Sequence, residues 1–92
     1  MITAIVMIGV EADQIPEAAA AIAEIDGVSE VYSVAGDVDL IAVVRVREFD
    51  LIADVIAGQI SKVPSVVHTD THIAFRAYSR HDLESTFAIG TD

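Results

Sequence analysis

Residues 34–40 have the sequence Val34-Ala35-Gly36-Asp37-Val38-Asp39-Leu40 and separate two strongly apolar stretches of the chain. Glycine can adopt a backbone angle that other residues resist. The aspartate that follows it can hydrogen-bond the turn backbone or place a negative charge beside exposed N–H groups. The segment therefore predicts a tight turn between two strands. Turn chemistry alone leaves two interpretations open: a solvated hairpin tip, or a loop that recognises a small molecule with an amino group.

Apolar and β-branched residues on both sides of this turn predict four strands, over residues 1–10, 28–35, 39–47 and 65–75. Each half of the chain then reads strand–helix–strand. The order βαββαβ is that of the ferredoxin-like fold, an α+β arrangement in which an antiparallel sheet carries both helices on one face.

Two helices are predicted between the strands, because apolar residues recur there at a spacing of three to four. Asp13 would cap the first helix, with Pro16 in its first turn and Gly27 at its end. Asp50 would cap the second helix, and Pro64 would end it. A sheet with both helices on one face leaves its other face bare in a single chain.

The composition favours a second copy on that bare face. Of the 92 residues, 53% are hydrophobic and only 22% are charged, which is more apolar surface than one small domain can easily bury. The sequence therefore predicts one domain that dimerises, as an α/β barrel or sandwich.

Charge and cysteine content exclude several classes of function. The net charge is −10, with 15 acidic against 5 basic residues, so the chain lacks the lysines and arginines that bind phosphate backbones or anionic membranes. It contains no cysteine, which excludes disulfides, zinc–thiolate sites, iron–sulfur clusters and a thiol nucleophile. The apolar N-terminus has no basic region and is too short to span a bilayer, so it is interpreted as a buried strand of a cytoplasmic protein.

No arrangement of residues predicts catalysis. His68 and His72 are four residues apart on a strand, about 13 Å, which is too far to chelate one metal, and they are interpreted as polar residues on the more exposed strand face. Asp37 and Asp39 lie roughly 6–7 Å apart on one side of an extended chain, a separation that could suit acid–base chemistry. Motifs for nucleophiles, phosphates and nucleotides are missing from the sequence. We therefore expect no enzyme, no catalytic residues, no metal and no cofactor.

Thr69 and Thr71 alternate with their neighbours and face one side of the fourth strand. They are compatible with ordinary β-propensity. Alternatively, their hydroxyls line a small polar pocket, which the turn at residues 36–39 would join only where subunits approach each other.

The turn and the segment Pro64-Ser65-Val66-Val67-His68-Thr69-Asp70-Thr71, in this order of elements, resemble the C-terminal effector-binding domain of the Lrp/AsnC family, the RAM domain (regulation of amino-acid metabolism). The resemblance covers residues 1–75 and leaves 76–92 as a C-terminal arm. Two positions depart from the family pattern. Val38 replaces an aromatic residue in the turn, and Ser65 replaces a glycine at the start of the fourth strand.

This resemblance implies a stand-alone form without the helix-turn-helix of DNA-binding members. Family domains dimerise through their sheets and join into rings of eight or ten chains. They bind small amino acids between dimers. Carried over to this sequence, the ligand-binding residues are Gly36, Asp37, Val38, Asp39, Thr69 and Thr71.

The implied function is non-enzymatic binding of an amino-acid effector, which modulates transcription through contact with a full-length Lrp/AsnC regulator and without direct nucleic-acid binding. Two alternatives stay open. Small dimeric ferredoxin-like barrels include monooxygenase-like enzymes, and fold alone does not choose between these functions. Replacement of the turn aromatic by Val38 also leaves open a structural oligomer whose ligand site has decayed.

Overall fold

A four-stranded antiparallel sheet with two helices on one face is seen in a computed structural model, which describes residues 1–80. The main elements are β1 (Ile2–Val10), α1 (Ile15–Ala23), β2 (Val28–Ser33), β3 (Leu40–Val46), α2 (Phe49–Ile56) and β4 (Val66–Ala74). Short 3-10 turns at Ala12–Gln14 and Ile60–Lys62 precede α1 and β4. The predicted ferredoxin-like order βαββαβ is confirmed. The predicted arm, residues 76–92, is described only as far as Arg80, and its remainder lies outside the described residues.

The sheet order is β2-β3-β1-β4, so the N-terminal strand lies at its centre. Ile8 of β1 is opposite Leu40 of β3 on one side and Thr69 of β4 on the other. This register brings the end of β1, the turn before β3 and the start of β4 to the same end of the sheet.

The core lies between the helices and one face of the sheet. Side chains alternate between the faces of a strand, and every second residue of β1 and β3 is buried. The buried positions are Ala4, Val6, Ile8, Val10, Leu40, Ala42, Val44 and Val46. Buried residues of the helical side pack against them, namely Ala18, Ile22, Ile52, Val55 and Ile60.

The opposite face of the sheet, which we call the open face, has no helix over it within residues 1–80. Its centre is apolar and only half-buried, and is formed by Ile5, Met7, Ile41 and Val43. Polar side chains flank this centre on both outer strands. The bare face that the sequence predicts is therefore present in the single chain.

The ends of the helices differ from the sequence prediction, and α1 already ends at Ala23, four residues before Gly27. Neither Asp13 nor Asp50 makes a capping hydrogen bond: Gln14 and Glu48 occupy the N-cap positions, and no side chain caps either helix. Asp50 lies in the first turn of α2, where its negative charge interacts favourably with the positive end of the helix dipole. The second helix ends at Ile56 and not at Pro64, because Gly58 is a poor helix former and a 3-10 turn takes over.

The helices of the described region, residues 1–80, are short. The longer of the two, α1, has nine residues. None is long and apolar enough to cross a lipid bilayer.

Candidate functional site

The turn at residues 34–39 projects from the end of the sheet with its tip in solvent. Gly36 has a φ of +133°, in the region that favours glycine, and a Cβ at this position would meet nothing within 4 Å. Asp37, next to it, is exposed. Val38, at the position where the family pattern has an aromatic residue, is half-buried. The tip therefore presents one solvated carboxylate on an unobstructed backbone.

Asp39 fixes the base of this turn through three hydrogen bonds. Its backbone oxygen accepts the N–H of Val34 at 3.0 Å, and its own N–H donates to the oxygen of Ile8 at 3.1 Å. Its side-chain Oδ2 accepts the N–H of Val10 at 3.0 Å in a partly buried position. The two turn carboxylates thus differ in environment, since Asp39 is engaged by β1 while Asp37 is exposed.

Thr69 and Thr71 lie together on the helix-facing side of β4, where both are half-buried. They face the same side, as their spacing predicts. Thr69 is separated from Leu40, the residue that follows the turn, by the whole width of β1, which is two strand spacings or about 10 Å. One chain therefore brings the turn and the threonines to the same end of the sheet but not into one pocket.

His68 and His72 lie on the open face of β4, as polar residues on its exposed side. His72 Nε2 is 3.2 Å from Asp70 Oδ2, and both side chains are more than half exposed. His68 is exposed on the same face. Within residues 1–80, no three side chains of histidine, aspartate or glutamate are arranged to hold a metal ion. His81 lies outside the described residues.

A second polar cluster occupies the opposite edge of the open face, where Tyr32 donates a hydrogen bond to Glu30. Arg45 Nη1 lies 3.8 Å from the same carboxylate. The pKa of the Tyr32 phenol is raised above its usual value, mainly because deprotonation would break the hydrogen bond to Glu30 and secondarily because the carboxylate charge opposes a phenolate. Arg45 partly offsets this effect.

A groove of about 370 Å³ lies beside the start of α1, at the same end of the sheet as the turn. Its apolar wall comes from Ala18, Ala21, Val63 and Pro64, and its polar lining from Glu11, Asp13, Gln14, Glu17 and Ser65. The N–H of Glu11 donates to the oxygen of Ser65 at 3.0 Å and holds the two sides together. Sequence reasoning missed this groove, because its two sides are about 50 residues apart and only the pairing of β1 with β4 joins them.

Comparisons with known proteins are consistent with this architecture. The chain matches the family model of the Lrp/AsnC ligand binding domain over residues 3–83. Among solved structures, TTHA0845 from Thermus thermophilus is 42% identical with a TM-score of 0.82, and the match covers 87% of this chain and 100% of that one. Hypothetical protein PHS023 from Pyrococcus horikoshii is 28% identical with a TM-score of 0.77, covering 88% and 98% of the two chains.

A longer relative is the feast or famine regulatory protein Rv3291c from M. tuberculosis, whose structure is a complex with L-methionine. It is 28% identical with a TM-score of 0.72, and the match covers 87% of this chain and 54% of that one. This chain thus spans about half the length of that regulator. A search of curated protein sequences finds no significant match.

Proposed function

Since this chain belongs to the Lrp/AsnC ligand-binding domain family, we propose that it binds a free amino acid without catalysing a reaction and assembles with copies of itself. One structural observation carries the proposal, namely that the turn presents the exposed carboxylate of Asp37 on a base fixed by Asp39. The complex of a 28% identical relative with L-methionine supports an amino acid as the ligand.

The proposed site uses opposite charges at the two ends of an amino acid. The Asp37 carboxylate pairs with the ammonium group, and the unobstructed backbone at Gly36 lets the ligand approach closely. The ligand carboxylate accepts hydrogen bonds from turn N–H groups or from the hydroxyls of Thr69 and Thr71. Each charge-assisted bond contributes about 1.5–3 kcal/mol before the entropy cost of binding, which predicts micromolar to millimolar affinity.

The site is completed between chains. In one chain β1 lies between the turn and Thr69, with about 10 Å between the backbones of the outer two strands, so the turn and Thr69 do not contact each other directly. We therefore assign the ammonium contact to the turn of one chain and the hydroxyl contacts to β4 of a neighbour. Gly36, Asp37, Val38, Asp39, Thr69 and Thr71 all belong to this composite site.

Self-association begins at the open face. Its half-buried centre contains Ile5, Met7, Ile41 and Val43, which a second copy would remove from water. Residues 1–75 form the domain that dimerises through this face, and residues 76–92 form an arm. Dimers then join into a ring of eight or ten chains, with the amino-acid site where dimers meet. The output is contact with a full-length Lrp/AsnC regulator, through which transcription is modulated.

A thermal-shift screen against the twenty amino acids, combined with sedimentation velocity, tests this proposal. We expect one or a few L-amino acids to raise the melting temperature at millimolar concentration, while the D-enantiomer of the same compound does not. We also expect a species larger than the 9.8 kDa chain. A monomer that responds to none of the twenty compounds would contradict the proposal.

A further inference from the structure

A second groove lies on the open face, at the end of the sheet where β1 begins and β4 ends. Its volume is about 470 Å³. Its floor is formed by Thr3, Ile5, Val43, Arg45 and Ala74, and its rim by Met1, Phe75, Arg76 and Ala77. The proposed amino-acid site lies at the opposite end of the sheet and does not use this groove.

The segment that follows β4 is rich in exposed aromatic surface. Phe75 is 99% exposed and Tyr78 is 74% exposed. These fractions exceed those of Phe49 and Tyr32, the remaining aromatic residues of the described region, at 61% and 50%. Burial of exposed apolar surface is favourable, so two exposed aromatic residues within four positions indicate a docking segment.

We propose that residues 75–78 of one chain, three of which border this groove in their own chain, reach across to the floor of the same groove in a second copy, and that the second copy does the same in return. The inference rests on the self-association part of the proposed function. The groove has the chemistry that an aromatic ring requires. Ile5 and Val43 provide an apolar floor, and the guanidinium of Arg45, whose side chain is 48% exposed, can lie over the ring face.

The area of the open face supports a second copy as the occupant. Four strands about 4.8 Å apart, with about seven residues each at 3.3 Å, give a patch of roughly 450 Å². A stable interface buries about 800 Å² on each partner. The two exposed aromatic side chains, which bury about 150–250 Å² each when they are covered, supply the missing area. The sheet face provides about half of that area, and residues 75–78 bring the total to the usual size of a stable interface.

Reciprocal docking requires a two-fold axis that runs parallel to the strands. The segment leaves β4 at the same end of the sheet as the groove, and rotation about this axis keeps that end of both sheets together. Each segment therefore lies next to the groove of the partner. An axis perpendicular to the strands would carry it to the opposite end, near Gly9. The parallel axis places β2 of one copy over β4 of the other.

Sedimentation equilibrium of alanine variants in the full chain tests the inference. We expect the double variant Phe75→Ala/Tyr78→Ala to raise the dimer dissociation constant at least tenfold. The matched control is Phe49→Ala, which removes an exposed phenylalanine from α2 and should leave this constant unchanged. An unchanged constant in the double variant would overturn the inference and leave the amino-acid response as the separate test of the proposed function. A wild-type chain that stays monomeric would overturn both.

Disulfide trapping gives a second measurement that does not depend on a weakened dimer, because the chain contains no cysteine of its own. Ala77→Cys and Thr3→Cys chains of different mass, mixed under oxidation, should form a mixed disulfide. Ala77→Cys mixed with Val67→Cys, an exposed site near the start of β4, should not. Equal trapping with both partners, or with neither, would overturn the inference.

Discussion

The side-chain carboxylate of Asp39 accepts a hydrogen bond from the backbone N–H of Val10, a residue 29 positions away, at 3.0 Å. Val10 lies where the pairing of β1 with β4 shifts register after Gly9. A shift of this kind disturbs the backbone ladder, and the carboxylate satisfies the N–H at that point. Asp39 therefore connects the candidate ligand turn to the central strand of the sheet.

Asp39→Ala should destabilise the fold by about 1–3 kcal/mol, because it leaves the partly buried N–H of Val10 without an acceptor. Asp39→Asn keeps an acceptor oxygen and should cost less. Asp37→Ala, at the exposed tip of the same turn, should stay within about 0.5 kcal/mol of wild type. Urea unfolding measures all three. Equal losses for Asp37→Ala and Asp39→Ala would contradict the separate roles of the two carboxylates.

Two glycines with positive φ predict a graded response to alanine. A Cβ on Gly27 would lie 2.9 Å from Val55 Cγ2 and 3.3 Å from Val46 Cγ1, in addition to the strain at a φ of +98°. Gly36 has a φ of +133° and no neighbours, so alanine there meets backbone strain alone. Gly27→Ala should therefore lose about 1–3 kcal/mol more than Gly36→Ala. Chemical denaturation of both variants checks the order, and the reverse order would show that strain outweighs packing.

The Tyr32–Glu30 contact predicts a shifted phenol titration. Glu30 raises the pKa of Tyr32 above the usual value of about 10. Because the folded-state pKa is raised, the associated stability is present below about pH 10 and is lost as the pH rises through the folded-state pKa. In a Tyr78→Phe background, ultraviolet absorbance reports Tyr32 alone, and Glu30→Gln should lower its midpoint. A midpoint that does not respond to Glu30→Gln would contradict the contact.

Direct DNA binding should be absent. At a net charge of −10 the chain cannot displace enough counterions from duplex DNA to gain affinity. Fluorescence anisotropy with a labelled random duplex at physiological salt should give no micromolar binding. A salt-dependent increase in anisotropy at micromolar protein would refute this prediction.

Much of the fold follows from local sequence patterns. Alternating apolar residues and the glycine at position 36 predict the element order and the turn, because periodicity and positive φ are properties of a few adjacent residues. The prediction that Asp13 and Asp50 cap the helices was wrong, because the N-cap position of each helix lies one or two residues away from the predicted residue. Local sequence patterns predict that a helix is present more reliably than they predict the residue at which it begins.

The candidate site was predictable only in part. The sequence singles out Asp37 and Asp39 as a pair, yet their different environments depend on the Val10 N–H, which long-range strand pairing delivers. The groove between Glu11 and Ser65 has the same origin. Such features depend on which strands pair and in which register, and a local sequence pattern does not determine either.

The most direct test of an amino-acid site at the turn compares the amino-acid response of the wild type with that of Asp37→Ala. The compound that stabilises the wild type most, with L-methionine as the first probe, is titrated by calorimetry into both proteins. Asp54→Ala, which removes an exposed carboxylate from α2, serves as the charge-matched control. Glu17→Gln, in the groove beside α1, tests the other acidic surface at that end of the molecule.

We expect Asp37→Ala to weaken binding at least tenfold while the dimer survives, and Asp54→Ala and Glu17→Gln to bind like wild type. Wild-type affinity in Asp37→Ala would contradict a ligand site at the turn, and a loss confined to Glu17→Gln would place the ligand in the groove beside α1.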